Sequence, residues 1–199
     1  KWLAQQAEEL EVEIYPGFSA SEVLYDENNK VVGIATCDMG RLKDGSEGPN
    51  FERGIELRAK QTVFSEGCRG HLGKTLMEKF ELNSNNSPQT YGIGIKELWE
   101  VTPENSKPGS IMHTTGWPLD NETYGGSFLY HLDNNKISIG FVIGLDYKNP
   151  YLSPYLEFQR FKHHPAIKKL LEGGRRINYG ARALNEGGVQ SLPKLTFPG

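Results

Sequence analysis

Between Thr90 and Leu145, apolar and polar residues alternate with a period of two in four stretches, Thr90–Leu98, Ser110–Leu119, Gly126–Leu132 and Lys136–Leu145. Successive side chains of a strand point to opposite faces, so this period suits half-buried strands and cannot satisfy a helix. Asp120-Asn121-Glu122 and Asp133-Asn134-Asn135 punctuate the stretches, and Asn tolerates the left-handed backbone of tight reversals. The second half of the chain is therefore expected to form a long-stranded antiparallel sheet.

The flanks read differently. Leu3, Ala7 and Leu10 lie at i, i+4, i+7 among Gln and Glu, which predicts an amphipathic helix over the first ten residues that packs on something. Phe18–Tyr25 and Lys30–Thr36 flank Asp26-Glu27-Asn28-Asn29, a hairpin pattern. Gly40–Asn50 reads as an exposed loop, followed by strands at Gly54–Leu57 and Lys60–Ser65. The last of these runs through Glu66-Gly67-Cys68-Arg69-Gly70 into a helix marked by Leu72, Leu76, Met77 and Phe80. Helical spacing returns over Tyr151–Glu172, broken by Pro165 and stopped at Gly173-Gly174. Gly180–Leu195 reads as a polar, Gly-rich loop before a strand beginning Leu195-Thr196-Phe197.

Composition narrows the function classes. With 199 residues and a net charge of −3, the chain is globular in composition, and a basic nucleic-acid binder is disfavoured. Cys37 and Cys68 belong to no CxxC or Cys/His cluster, so this chain alone assembles neither a zinc site nor a Cys-ligated iron–sulfur cluster. The longest apolar run, Ile137–Leu145, falls far short of the ~18 to 20 residues of a spanning helix. Because it starts at Lys1 and stops at Gly199, the chain is expected to be a piece of a longer polypeptide.

Two sites stand out chemically. A strand ending in Ser65-Glu66-Gly67-Cys68-Arg69-Gly70 before a helix offers backbone N–H groups and a positive dipole end to a phosphate or ribityl chain, or is simply a tight glycine turn. Gly125 and Gly126 sit in an aromatic-rich strand region, where paired glycines mark either a bulge or a close approach to the backbone. A flat ring bearing carbonyls would suit that place, with Trp117, Tyr124 and Phe128 as apolar walls. The stretch Tyr151–Arg176 carries Arg160, Lys162, Lys168, Lys169, Arg175 and Arg176, a basic face open to anionic headgroups or to plain solvent. His163 and His164 are too close in sequence to ligate one metal from a helix, and His71, His113 and His131 lack a local motif that places a nucleophile beside them. No metal ligand is assigned.

Together, Ile14-Tyr15-Pro16-Gly17-Phe18, Glu66-Gly67-Cys68-Arg69-Gly70-His71-Leu72, Pro88-Gln89-Thr90-Tyr91-Gly92-Ile93-Gly94, Gly116-Trp117-Pro118-Leu119, Tyr124-Gly125-Gly126-Ser127-Phe128-Leu129-Tyr130-His131-Leu132, Gly144–Pro154 and Ala183-Leu184-Asn185-Glu186-Gly187-Gly188 resemble the electron transfer flavoprotein:ubiquinone oxidoreductase family, that is, electron-transferring-flavoprotein dehydrogenase, in its central part. The resemblance covers nearly the whole chain. It implies an α+β fold: part of a glutathione-reductase-type FAD domain at 1–85, an antiparallel-sheet quinone-binding domain with flanking helices at 86–175, and a return segment to the FAD domain at 176–199. It implies that Gly125 and Gly126 hydrogen-bond the ubiquinone carbonyl through their backbone. It carries Glu66, Gly67, Arg69 and Asn185 over as FAD contacts, and leaves the ligands of a 4Fe-4S cluster outside this chain. Because such carriers move the electrons, no side chain is assigned as catalytic. The implied partners are electron transfer flavoprotein, ubiquinone and, by monotopic attachment, the membrane surface. The implied location is the matrix side of the mitochondrial inner membrane, or the bacterial cytoplasmic membrane. Two rivals stay open: a geranylgeranyl-reductase-like or hydroxylase-like flavoprotein, and a non-enzymatic domain docking on a membrane or partner through residues 151–176.

Overall fold

The computed structural model describes residues 2–196. They divide into two units, the first comprising residues 2–82 together with Thr196 and the second running Asn83–Leu195. Helices and antiparallel sheets are mixed throughout, as an α+β fold requires.

The first unit opens with α1 (Trp2–Glu9), whose Trp2 and Leu3, with Leu10 just beyond, remain exposed. The expected packing of this helix is absent among the described residues, where it buries no side chain. β1 (Ala20–Tyr25) and β2 (Val31–Thr36) form the expected hairpin. Asp26 fixes its turn, the carboxylate accepting from the N–H groups of Asn28 (2.9 Å) and Lys30 (2.8 Å), while Asn29 takes the left-handed conformation. β3 (Met39–Arg41) and β4 (Glu47–Glu52) pair across a segment read from sequence as a loop. Its glycines are what a tight hairpin needs: a Cβ on Gly40 would stand 2.1 Å from the Asn50 carbonyl oxygen. β5 (Glu56–Arg58) completes a three-stranded sheet in the order β1-β2-β5. Lys60–Ser65 does not form the expected strand, since no neighbour among the described residues offers it a ladder. The helix after it, α2 (His71–Lys79), is present.

The second unit is a five-stranded sheet and two helices. β6 (Tyr91–Glu100), β7 (Ile111–Thr115), β8 (Gly125–Leu132), β9 (Lys136–Gly144) and β10 (Arg175–Asn185) lie in the order β10-β6-β9-β8-β7, all neighbours antiparallel. Asn134 and Asn135, both at positive φ, make the β8–β9 reversal. Gly180–Asn185, expected in a loop, instead continues the edge strand β10 against β6, and Leu195 and Thr196 form no strand. Phe197 lies outside the described residues.

Register assigns every sheet residue to a face. One face carries Ile93, Ile95, Glu97 and Trp99 of β6, opposite Ile143, Phe141, Ile139 and Ile137 of β9. On this face pack α3 (Pro154–Lys162) and α4 (Pro165–Leu171). Phe141 sits between Phe158 and Phe161, with ring centroids 6.2 and 5.3 Å away. Pro165 starts α4 rather than continuing α3, because proline supplies the fixed φ of a first helical position and no N–H. Gly173 at positive φ ends the pair.

Candidate functional site

Of the residues singled out from sequence, Gly126 and Phe128 lie on the opposite face of the five-stranded sheet. Reading across the strands, one row is Arg182, Gly94, Val142, Gly126, Thr115, and the next is Gly180, Lys96, Gly140, Phe128, His113. A third is Asn178, Leu98, Ser138, Tyr130, Ile111. Small residues thus form a low floor between cations on the β10 side and aromatic rings on the β7 side.

Gly125 and Gly126 begin β8; Gly126 lies in both ladders and Gly125 in the one with β9, without a register shift, so the pair is not a bulge. The close approach is made by the protein's own strands. A Cβ on Gly126 would stand 2.3 Å from the Thr114 carbonyl oxygen, and one on Gly125 would stand 2.4 Å from that of Val142 and 2.5 Å from Leu119 Cδ1. No side chain fits at such distances, so the sheet itself requires glycine here and leaves the surface flat beside Phe128.

The aromatic residues are not one cage. Trp117 follows β7, is 49% exposed and lies against His164, ring centroids 5.3 Å apart. Tyr124, 71% exposed, precedes the glycines, and its carbonyl accepts from the Gly144 N–H. Phe128 is half-buried on the glycine-rich face. Its ring covers Gly140, where an added Cβ would meet it at 2.3 Å, and stacks on Tyr130 at 4.9 Å. Sequence reading missed Tyr130 and gave His113 no role. Only the β7–β8 register puts His113 beside Phe128, with its Nε2 3.4 Å from the Tyr130 hydroxyl. His131 points to the other face and is buried. Its Nδ1 accepts from the Lys107 N–H, and burial together with the Lys107 charge holds its pKa below the usual histidine value.

At the expected flavin contacts, Glu66 departs from the sequence reading. Its carboxylate accepts from the N–H groups of Leu72 (3.2 Å) and Gly73 (2.6 Å) and so caps α2. The helix end that was open to a phosphate already holds a carboxylate, and a phosphate does not fit there. Gly67 adopts positive φ in the turn before α2, beside Arg69. Asn185 ends β10 opposite Tyr91, in the other unit. The Gln190 amide donates to the Gly187 carbonyl, and Gln89 and Ser191 pin the same loop. Glu186 lies over Gly92, and burial with the nearby Asp146 charge keeps its carboxyl above the ordinary carboxylate pKa.

The basic stretch is largely neutralised. Arg160 pairs with Glu157, Arg175 with Glu100, and both Lys162 and Arg176 with Glu97. Glu97 is 2% exposed and also accepts from the Trp99 indole. Burial alone would raise its pKa, but Lys162, Trp99 and Arg176 together hold the carboxyl below its ordinary value. Among the described residues no three His, Cys, Asp or Glu side chains gather in a metal-binding cluster, and no helix is long and apolar enough to cross a membrane.

Residues 91–184, the sheet and both helices, match the family described as ETF-QO, ubiquinone-binding. Over its whole length the chain is 62% identical to the electron transfer flavoprotein-ubiquinone oxidoreductase of Sus scrofa and 58% identical to that of Pseudomonas aeruginosa. It spans about a third of these relatives, 32% and 36% of their lengths. Two solved structures share the fold at low identity. A geranylgeranyl bacteriochlorophyll reductase-like protein from Thermoplasma acidophilum superposes with a TM-score of 0.63 at 16% identity, over 92% of this chain and 40% of its own. A flavin-dependent brominase does so with a TM-score of 0.57 at 17% identity, over 92% of this chain and 42% of its own.

Proposed function

We propose that this chain is the quinone-binding middle of an electron-transferring-flavoprotein dehydrogenase, an oxidoreductase that passes electrons from reduced electron transfer flavoprotein to ubiquinone. The observation that carries this reading is the coincidence of the ubiquinone-binding family match with a glycine-floored sheet face. The backbone of Gly125 and Gly126 meets the quinone carbonyl, Phe128 walls the ring, and Trp117 and Tyr124 stand exposed near the same end. Their part is to bind and orient a flat ring against a surface with no side chain to hold it off. FAD and a 4Fe-4S cluster supply the electron-carrying chemistry in the full-length protein, and the cluster ligands and the pyrophosphate cradle lie outside this chain. Glu66, Gly67, Arg69 and Asn185 are assigned to the uncharged parts of FAD, since Glu66 excludes a phosphate from α2. Attachment is monotopic, at the matrix side of the mitochondrial inner membrane or at the bacterial cytoplasmic membrane.

The docking alternative through residues 151–176 is weakened, because four of that stretch's six cations are engaged by glutamates. The test is steady-state turnover of the full-length protein with reduced electron transfer flavoprotein and a short-chain ubiquinone analogue. Quinone-dependent oxidation of the flavoprotein supports the reading, and its absence in a flavin-loaded preparation contradicts it.

A further inference from the structure

Quinone reduction consumes two protons as well as two electrons, and the glycine-rich face carries a pair of groups suited to deliver one of them. We infer that the Tyr130 hydroxyl and the His113 imidazole form the proton route to the quinone. This rests on the quinone reading of Gly125 and Gly126. Gly126, Phe128 and Tyr130 follow one another on one face of β8, about 6 to 7 Å apart at the Cα atoms. The Phe128 ring lies over Gly140 of β9 and stacks on Tyr130 at 4.9 Å, so a quinone ring beside it lies on the β7 side, toward His113. His113 stands on β7 directly opposite Phe128, exposed, with Nε2 3.4 Å from the Tyr130 hydroxyl and ring centroids 5.6 Å apart. A ring held by one carbonyl at Gly126 directs its para carbonyl along β8 toward that hydroxyl.

The balance is simple. As two electrons from reduced electron transfer flavoprotein reach the quinone, an O–H bond of Tyr130 breaks and one forms at the quinone oxygen. The Nε2–H of His113 then reprotonates the tyrosine oxygen while its Nδ1 takes a proton from water. The other quinone oxygen, at the Gly126 end, takes its proton from water, and the quinol results. The buried His131 takes no part, because it faces the other side of the sheet and its Nδ1 is engaged.

The experiment uses the full-length protein with His113→Ala and Tyr130→Phe. Each variant is expected to lower kcat with the quinone by about 100-fold, the usual scale of a lost proton donor, with KM for the quinone within about twofold and flavin content unchanged. Added imidazole restores turnover to His113→Ala and not to Tyr130→Phe. Unchanged kcat, a loss appearing in KM instead, or the lack of imidazole rescue overturns the proton route. A photoreactive quinone analogue separates this from failure of the underlying site: label within 111–130 with unchanged kcat rejects only the relay, whereas label confined elsewhere rejects the site.

Discussion

At the scale of single residues, the glycine pair shows how the same observation supports structure and function at once. Because Cβ atoms at Gly125 and Gly126 collide with the backbone of β9 and β7, substitution there acts first on the sheet. Gly126→Ala is expected to destabilise the chain by about 1–3 kcal/mol, the usual cost of overpacking. Gly180→Ala, with nothing within 4 Å, leaves the unfolding midpoint unchanged or slightly raised. Denaturant titrations of the two variants check this, and equal effects would contradict the geometry. Glu97 gives a pH signature. Its folded-state pKa lies below the ordinary value of 4.5, so its contribution is fully present above that value and is lost as pH falls through the folded pKa. Thermal unfolding of the chain should therefore lose midpoint temperature below about pH 4.5, and Glu97→Gln should flatten that loss while lowering the midpoint at pH 7. Removing the carboxylate leaves Lys162 as a buried charge beside Arg176, a defect of about 3–5 kcal/mol.

At the scale of elements, what the sequence made legible was whatever its own period or turn chemistry determines. β6, β7, β8 and β9 follow from alternation, the β1–β2 and β8–β9 reversals from Asp and Asn, and the break between α3 and α4 from Pro165. What stayed hidden depends on neighbours. Gly180–Asn185 becomes a strand because β6 offers it a ladder, and Lys60–Ser65 does not because nothing among the described residues pairs with it. The β3–β4 hairpin hides in charged, Gly-rich composition. The site was legible to the same degree: Gly125, Gly126 and Phe128 stood out locally, whereas His113 and Tyr130 meet only through register. The Glu66 cap likewise spans several residues of irregular chain. Glu66→Ala should cost about 1 kcal/mol of stability in the unit containing α2, read by amide hydrogen exchange across His71–Lys79. Unchanged protection there would contradict the cap.

At the scale of the whole molecule, the full-length protein is expected to hold the membrane mainly through apolar contact. Within Arg160–Arg176 the cations are mostly paired with glutamates, and an unpaired one adds only about 1 kcal/mol at an anionic surface, screened by salt. Liposome binding of the full-length protein should survive moderate salt, and its loss would assign attachment to charge instead. The 199-residue chain by itself is expected to purify without flavin, since α2 presents a carboxylate and no phosphate cradle; stoichiometric yellow flavin in that preparation would contradict this. The central claim is the placement of the quinone, and the most direct measurement is a structure of the full-length protein with a bound ubiquinone analogue. The account predicts a ring carbonyl within about 2.7–3.2 Å of a backbone polar atom of Gly125 or Gly126, with the ring against Phe128. A head group bound elsewhere, with both glycines engaged only by their own sheet, would contradict it.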